Sequence, residues 1–339
     1  MTLNQNEIDK YLDELITKAE RQIDKMFARR LKELRYQLLN MQLKYAKGKR
    51  LTYTDLNKYN RMQKEIKIIA EAIDQDFRQL LNIIQELMEN QYIENYLRSA
   101  YLYEFEAQET MGFGMPALKV VQMAILNKIP QLTLPAVLED QRNTLVRRIS
   151  MDISQGLLAG EGYTDIAERI QKSVGFGAVK ARRVARTEGH RAQVQGRLDS
   201  AAKASKHAEL KKIWDGTLDS RTRKAHRKLD GTVVDYNGVF VSIAGGKGVA
   251  PGLMFSAADD INCRCSVLFL VNGRKPEVRR ARNEEDLNYQ RKLANRIDKY
   301  MENGLTAKQA EKKAKKEVRP PSLVIPYMTY EDWYKNRIA

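Results

Sequence analysis

The chain has 339 residues, 30% of them charged and 8% aromatic, with 59 Lys and Arg against 43 Asp and Glu, a net charge of +16. That balance excludes a disordered chain and leaves room for two or three domains. No apolar run approaches the roughly 18 residues of a membrane span, and the opening Met1–Glu7 has neither the basic nor the apolar stretch of a secretory signal.

The only two cysteines, Cys263 and Cys265, stand two positions apart and close no useful loop. A disulfide framework is therefore not expected, and a reducing compartment such as a bacterial cytosol fits best. The cationic excess points to a polyanionic neighbour, with nucleic acid first among them. Helix-turn-helix, zinc-finger and RNP patterns are missing, so contact without sequence preference is expected.

Residues 1–110 read as helix almost throughout. Ile8, Leu12, Leu15, Ala19, Ile23, Met26, Leu34, Leu38, Met41 and Tyr45 recur in steps of mostly three and four, one apolar stripe on a long helix. Lys47–Arg50 should stop it, because Gly48 suits a left-handed C-cap. Thr54 or Asp55 can cap a second helix with its own stripe through Leu56, Tyr59, Ile66, Ile69, Ile73, Phe77, Leu80, Ile84 and Leu87. The expectation is an antiparallel hairpin. It serves either as an arm that docks on another subunit or as part of the chain's own core.

Met111–Pro116 breaks the helix and marks a boundary. Short helices should follow over Ala117–Lys128 and from Pro135 to Leu158. Another is expected from the cap Thr164 to a stop at Gly175, then a long basic helix from Ala178 to Lys206. That helix carries Arg182, Arg183, Arg186, Glu188, Arg191 and Arg197. Arg186 and Glu188 are two apart and do not face each other, so one of them is expected to tie the helix to Asp-rich loops downstream.

Beyond Lys206 the period shortens. Ile213–Trp214, Thr232–Val234, Val239–Val241 and Cys265–Leu270 read as strands, separated by turns at Asp215–Gly216, Asp230–Gly231, Asn237–Gly238 and Gly245–Gly246. The fold class is α+β, with a small antiparallel sheet packed on the basic helix. Four segments follow: a helical arm 1–110, a connector 111–180, the module 181–273, and a tail 274–339. Residues 277–319 read as charged helix with the run Lys312, Lys313, Lys315 and Lys316. Tyr330–Tyr334 is an aromatic cluster that should dock on its own module or on a partner.

The motif-dense stretch from Ala181 to Val271 contains Arg186, Glu188, Trp214, Asp219, Arg221, Arg223, His226, Asp230, Gly231, Asn262, Cys263, Arg264 and Cys265. It resembles the conserved module of phage head morphogenesis proteins, the Mu F-like and SPP1 gp7-like minor head proteins. Ile153–Gly160 looks like its start, so the resemblance covers about 150–271, and the tail more loosely. It implies a minor capsid protein near the portal vertex inside the head, with a role in assembly and in DNA packaging, retention or delivery. The implied partners are a portal protein, then scaffold or major capsid protein, with double-stranded DNA contacted through Arg182, Arg183, Lys312, Lys313, Lys315 and Lys316. The implied location is the virion, with host cytoplasm during assembly, and no membrane.

Two readings of the cysteines stay open. In many members of that family the positions of Arg223 and His226 are both Cys and a His stands at 260, which looks like a zinc-ligand set. Here His226, Asp260, Cys263 and Cys265 could make a four-ligand site. The alternative is an Arg223–Asp260 ion pair beside buried free thiols with no metal. It is favoured because Arg223 cannot ligate and Asp260 is a harder donor.

An enzyme is not expected. Asp219, His226 and Asp230 invite a nuclease reading, but their spacing fits an Asx cap and a turn better. An ADP-ribosyltransferase reading has only Arg186 and a later Glu behind it. Walker A, GxSxG and HExxH patterns do not occur. The competing class is a nucleic-acid-processing enzyme or toxin carrying a Mu F-like module.

Overall fold

The structure is a computed structural model that describes residues 5–46, 48–126 and 132–338. The fold is α+β: long helices lead, and short strands follow in the C-terminal part. The chain packs as two compact units. One comprises 12–97 with 114–198; the other comprises 1–11, 98–113 and 199–339. Each unit thus draws on stretches that lie far apart along the chain.

The first unit is helical. Helices α1 (Gln5–Ala46) and α3 (Arg61–Ala107) run antiparallel. Gln91 Nε2 donates to the carbonyl of Leu12 at 2.7 Å, Arg30 Nε to Asp76 Oδ2 at 2.5 Å, and the Tyr45 hydroxyl to Glu65 Oε1 at 2.7 Å. Gly48 ends the first helix at φ +80, and Lys47 lies outside the described residues. The second helix is not capped where expected. Thr52 forms a capping box with Asp55 on the short α2 (Tyr53–Asn57), and Tyr59 and Asn60 at positive φ separate it from α3.

The expected stripes are covered by the chain itself, except at Tyr59, which stands exposed where positive φ breaks the helix. Ile23, Leu34 and Met41 of α1 join Ile73, Leu80 and Ile84 of α3 in one apolar cluster. That cluster also takes in Val121 of α4 (Leu118–Ile125), Ile149 of α5 (Leu134–Leu158) and Ile170 of α6 (Tyr163–Ala204). The docking-arm expectation for this face is therefore corrected: those residues serve a core. Helix α4 is described to Ile125, and Lys128 lies outside the described residues.

Helix α6 corrects the reading at Gly175. A single 42-residue helix replaces the two expected, and its first residue is Tyr163 rather than one following a Thr164 cap. Glycine inside a helix costs about 1 kcal/mol. Close packing compensates elsewhere along α6: a methyl group at Gly177 would lie 3.1 Å from Phe27, and one at Gly196 would meet the Tyr92 carbonyl oxygen at 2.3 Å.

The second unit holds the strands. Strands β1 (Leu210–Asp215), β2 (Val233–Asp235) and β5 (Ser266–Val271) form an antiparallel sheet in the order β2-β1-β5, with Trp214 opposite Val267. Strands β3 (Phe240–Val241) and β4 (Lys247–Gly248) make a small hairpin. Short helices α7 (Lys224–Leu229) and α8 (Ala257–Asp260) fill the long connections.

The uniformly helical reading of 277–319 is corrected too. Val278–Arg282 is strand β6, paired antiparallel with β7 (Ser322–Pro326), and helices α9 (Leu287–Glu302) and α10 (Ala307–Glu317) lie between them. Its three arginines hid the strand. Arg279 and Ala281 alternate inward, and only one of them is apolar. Helix α11 (Tyr330–Ile338) docks its aromatic cluster on the same unit: Tyr330 and Trp333 bury against Leu218 and Ala281.

Candidate functional site: a buried thiol–imidazole and ionic node

Strand β1 delivers Trp214 into the middle of the second unit, fully buried. Its ring meets the His226 ring edge-on at 5.3 Å and Phe240 at 5.2 Å. His226 comes from the short helix α7, which aims the imidazole at the segment before β5. Its Nδ1 lies 3.3 Å from Cys265 Sγ and 3.7 Å from Cys263 Sγ. Its Nε2 lies 3.1 Å from Oδ1 of Asp259, a fully buried carboxylate that also accepts the Ser242 hydroxyl at 2.8 Å and the Gly246 N–H at 3.1 Å. Asn262, at φ +55, makes the left-handed step that brings Cys263 in.

Cys263 and Cys265 share one side and Arg264 takes the other, as the period of two requires, although β5 proper begins one residue later. Both thiols are buried, and neither is in a disulfide. Burial opposes charging His226, but its contacts with Cys265 and Asp259 outweigh that and raise its pKa above the ordinary value. The Cys265 hydrogen bond lowers the Cys263 pKa, while that same bond and burial push the Cys265 thiol well up.

The four-donor reading is corrected at Asp260. Its carboxylate accepts the N–H groups of Met254 at 2.9 Å and Ser256 at 3.2 Å, which makes it a turn cap. The acid against His226 is its neighbour Asp259, which sequence reasoning missed. Arg223 donates to the carbonyls of Ala258, Asp259 and Ile261 at the end of α8. Among the described residues the grouped donors are His226, Cys263 and Cys265, all within 4.8 Å of one another. Two thiolates and an imidazole oriented by a carboxylate suit a soft ion, yet they supply three of the four donors a structural zinc requires.

Two ionic clusters flank this node. Arg264 pairs with Asp219 through two contacts, one of them 3.0 Å. Asp219 also accepts the Arg221 N–H at 2.9 Å and the Thr222 hydroxyl at 3.1 Å, so the expected Asx turn is present. Burial would raise the Asp219 pKa, but Arg264 and Arg221 lower it overall.

Asp230 is more than a turn residue. Its carboxylate receives Arg279 twice at 2.9 Å, the Gly216 N–H at 2.6 Å and the Tyr330 N–H at 2.6 Å. Arg279 also donates to the carbonyls of Gly216 and Met328. Its Nη2 lies 2.7 Å from Asp215 Oδ1, but that oxygen is out of line for a hydrogen bond, so the contact is purely electrostatic. Burial therefore prevails at Asp215 and lifts its carboxyl to about 6. Gly231, at φ +76, completes the turn and donates to the Trp214 carbonyl at 2.9 Å.

The remaining sequence candidates lie elsewhere. Arg186 pairs with Glu20 on α1, Glu188 with Arg191 on its own helix, and Arg182 with Asp24. The expectation that Arg186 or Glu188 serves the Asp-rich loops is thus overturned; Arg264 and Arg279 do so. Arg279 went unnoticed because nothing local marks it. The available signal was two Asp-Gly turns in need of a buried cation. Arg183, Lys312, Lys313, Lys315 and Lys316 are exposed.

The side chains of Asp219, His226 and Asp230 take different charged or polar partners: Arg264, Asp259 and Arg279.

Residues 147–268 match the Phage Mu protein F like protein family. The minor head protein GP7 of Bacillus phage SPP1 is 50% identical over 279 residues, 82% of this chain and 91% of that protein. The NAD(+)–arginine ADP-ribosyltransferase EFV of Enterococcus faecalis is 29% identical over 188 residues, 55% of this chain but 38% of the enzyme. No solved structure matches. Half identity across nearly all of a minor head protein, together with the family match over α6 and the node, means that the chain belongs to the Mu F-like family of phage minor head proteins.

Proposed function

We propose that the protein is a non-enzymatic minor head protein held inside the head near the portal vertex. There it acts in capsid assembly and in packaging, retention or delivery of the genome. The single observation that carries this reading is the 50% identity with an SPP1 minor head protein. The partners are the portal protein, with scaffold or major capsid protein as further contacts, and double-stranded DNA gripped without sequence preference. The net charge of +16 supports the DNA contact, whose affinity should fall steeply with salt. The node acts as a rigid body for these contacts, with no obligatory metal.

Co-expression with the portal gene tests the central claim. The chain should co-elute with portal rings on size exclusion; elution apart from assembled rings rules the portal reading out. Metal analysis of the purified chain should find substoichiometric zinc, and a full equivalent of zinc would reverse the metal-free reading.

A second reading rests on the similarity to an ADP-ribosyltransferase. It predicts transfer of label from NAD to an arginine acceptor, or, for a nuclease, plasmid cleavage with Mg²⁺ that His226→Ala abolishes. Neither activity is expected.

A further inference from the structure

We infer that the α9–α10 hairpin is the phosphate-binding element, with Lys292, Arg296 and Lys299 of α9 and Arg319 just past α10 forming the cleft that takes the DNA backbone. This rests on the DNA reading above and gives it a location. Residues 287–319 hold ten Lys and Arg against four Asp and Glu. More than a third of the chain's excess charge therefore sits in about a tenth of its length.

Helix periodicity puts 292, 296 and 299 on one exposed face. Leu293, Ile297 and Tyr300 are partly covered, and α10 packs on α9 with Ala310 and Ala314 fully buried. The result is a concavity lined by Lys292, Asn295, Arg296, Lys299, Glu317 and Arg319, with Val318 at its edge.

Glu317 is the acid within it. It lies 3.4 Å from Arg296 and accepts the Tyr300 hydroxyl. Lys292 and Lys299 have no ion pair among the described residues, and Lys312 and Lys316 extend the cationic surface along α10. On the longer α6, by contrast, Arg182 and Arg186 are neutralised by Asp24 and Glu20.

The lining favours a sugar–phosphate strand over a protein surface. Protein interfaces centre on aromatic residues and Met and are depleted in Lys, whereas this cleft is lined mainly by cations, with one amide, one valine and one acid that Arg296 already pairs. Seven residues of helix span about 10 Å. Phosphates of one strand recur about every 3.4 Å along the duplex axis, so the α9 face covers roughly three of them.

The test is the salt dependence of full-length protein binding to a short duplex, read by fluorescence anisotropy. Removing one cation that sits on a phosphate should lower the slope of log K against log salt by about 0.9. The variant Lys292→Gln/Arg296→Gln/Lys299→Gln/Arg319→Gln is expected to reduce that slope by about 3.6. A control neutralising the exposed Lys25, Lys32, Lys64 and Lys119 should leave it unchanged.

If the wild-type chain binds and the cleft variant keeps its slope, the hairpin assignment is wrong while the DNA reading stands. If the wild-type chain ignores duplex DNA at low salt, both fail. Should the variant misfold, lysine acetylation of the wild-type chain decides: duplex should protect Lys292 and Lys299, and unprotected lysines overturn the assignment.

Discussion

In the helical unit, Ile23, Leu80, Ile84, Val121 and Ile149 are fully buried in one continuous apolar cluster. In the other unit, Arg279, Lys212 and Asp259 are buried as deeply as Trp214 and Phe240. Long helices bring wide apolar faces together, and the polar groups they enclose, such as Arg30–Asp76, Gln91, Asn95 and Arg197, are set into that continuous packing. A three-stranded sheet has too little apolar surface to enclose its own turns. Buried arginine, lysine and carboxylate side chains therefore tie the loops, satisfying backbone groups that would otherwise be orphaned. Lys212 is typical: it donates to the carbonyls of Gly238 at 2.6 Å and Val249 at 3.0 Å, and burial lowers its pKa. The two units should accordingly fail in different ways, the first through packing and the second through removal of a charge partner.

The largest effect is expected at Arg279. Arg279→Met leaves Asp230 and Asp215 buried without their cation, at a cost of about 3–5 kcal/mol. Both tryptophans of the chain, Trp214 and Trp333, lie in that unit. Their fluorescence should therefore report an early urea transition that far-UV circular dichroism, dominated by the helices, registers weakly. A variant with the wild-type fluorescence midpoint would break the contrast between the units.

Acidity separates them next. Asp215 sits at about 6 in the folded protein against an ordinary 3.8, so the folded state binds its proton more tightly than the unfolded chain. Its contribution to stability is present below about pH 4 and is lost as pH rises to about 6, by roughly 2–3 kcal/mol. Asp219 has the opposite sign, since its lowered pKa gives stability that is lost only as pH falls further. Urea midpoints of Asp215→Asn and wild type should diverge between pH 4 and 7 in favour of the variant. Parallel curves would mean that Arg279 fully compensates the buried charge.

Packing sets the third effect. A methyl at Gly196 would press on the Tyr92 carbonyl oxygen, a backbone atom that cannot rotate away. Gly196→Ala should therefore cost about 1–3 kcal/mol despite the better helix propensity of alanine. Thermal melts followed by circular dichroism test this, and a raised melting temperature would show that α3 and α6 can part without penalty.

The helical unit was the more legible in sequence because its signal is periodic. The stripes of α1 and α3 read directly as buried faces, and the Gly48 stop and the Met111–Pro116 boundary follow from backbone chemistry. What covers the stripes was not legible, because α5 and α6 lie far along the chain. In the second unit, the strands at Trp214, Val233, Phe240 and Val267 could be read from β-branched and aromatic runs. Strand β6 could not, since its inward residues are Arg279 and Ala281. At the node, His226, Cys263 and Cys265 were recognisable as soft donors. The choice between Asp259 and Asp260 depended on which carboxylate the one-turn helix α8 aims inward, and adjacent identical residues carry no sign of that.

The smallest effect concerns Gly175, the residue read in sequence as a helix stop. Helix α6 runs through it, and a methyl group there would meet nothing within 4 Å. Unlike Gly196, it makes no close approach that requires glycine, and it adopts ordinary helical rather than left-handed backbone. Gly175→Ala should therefore stabilise the helical unit by about 0.5–1 kcal/mol, through reduced freedom of the unfolded chain and better helix propensity. The expected readout is a small upward shift of the circular dichroism melt with the Trp fluorescence transition unmoved. A destabilised variant would mean that this exposed face of α6 is under a constraint that the isolated chain's packing does not contain.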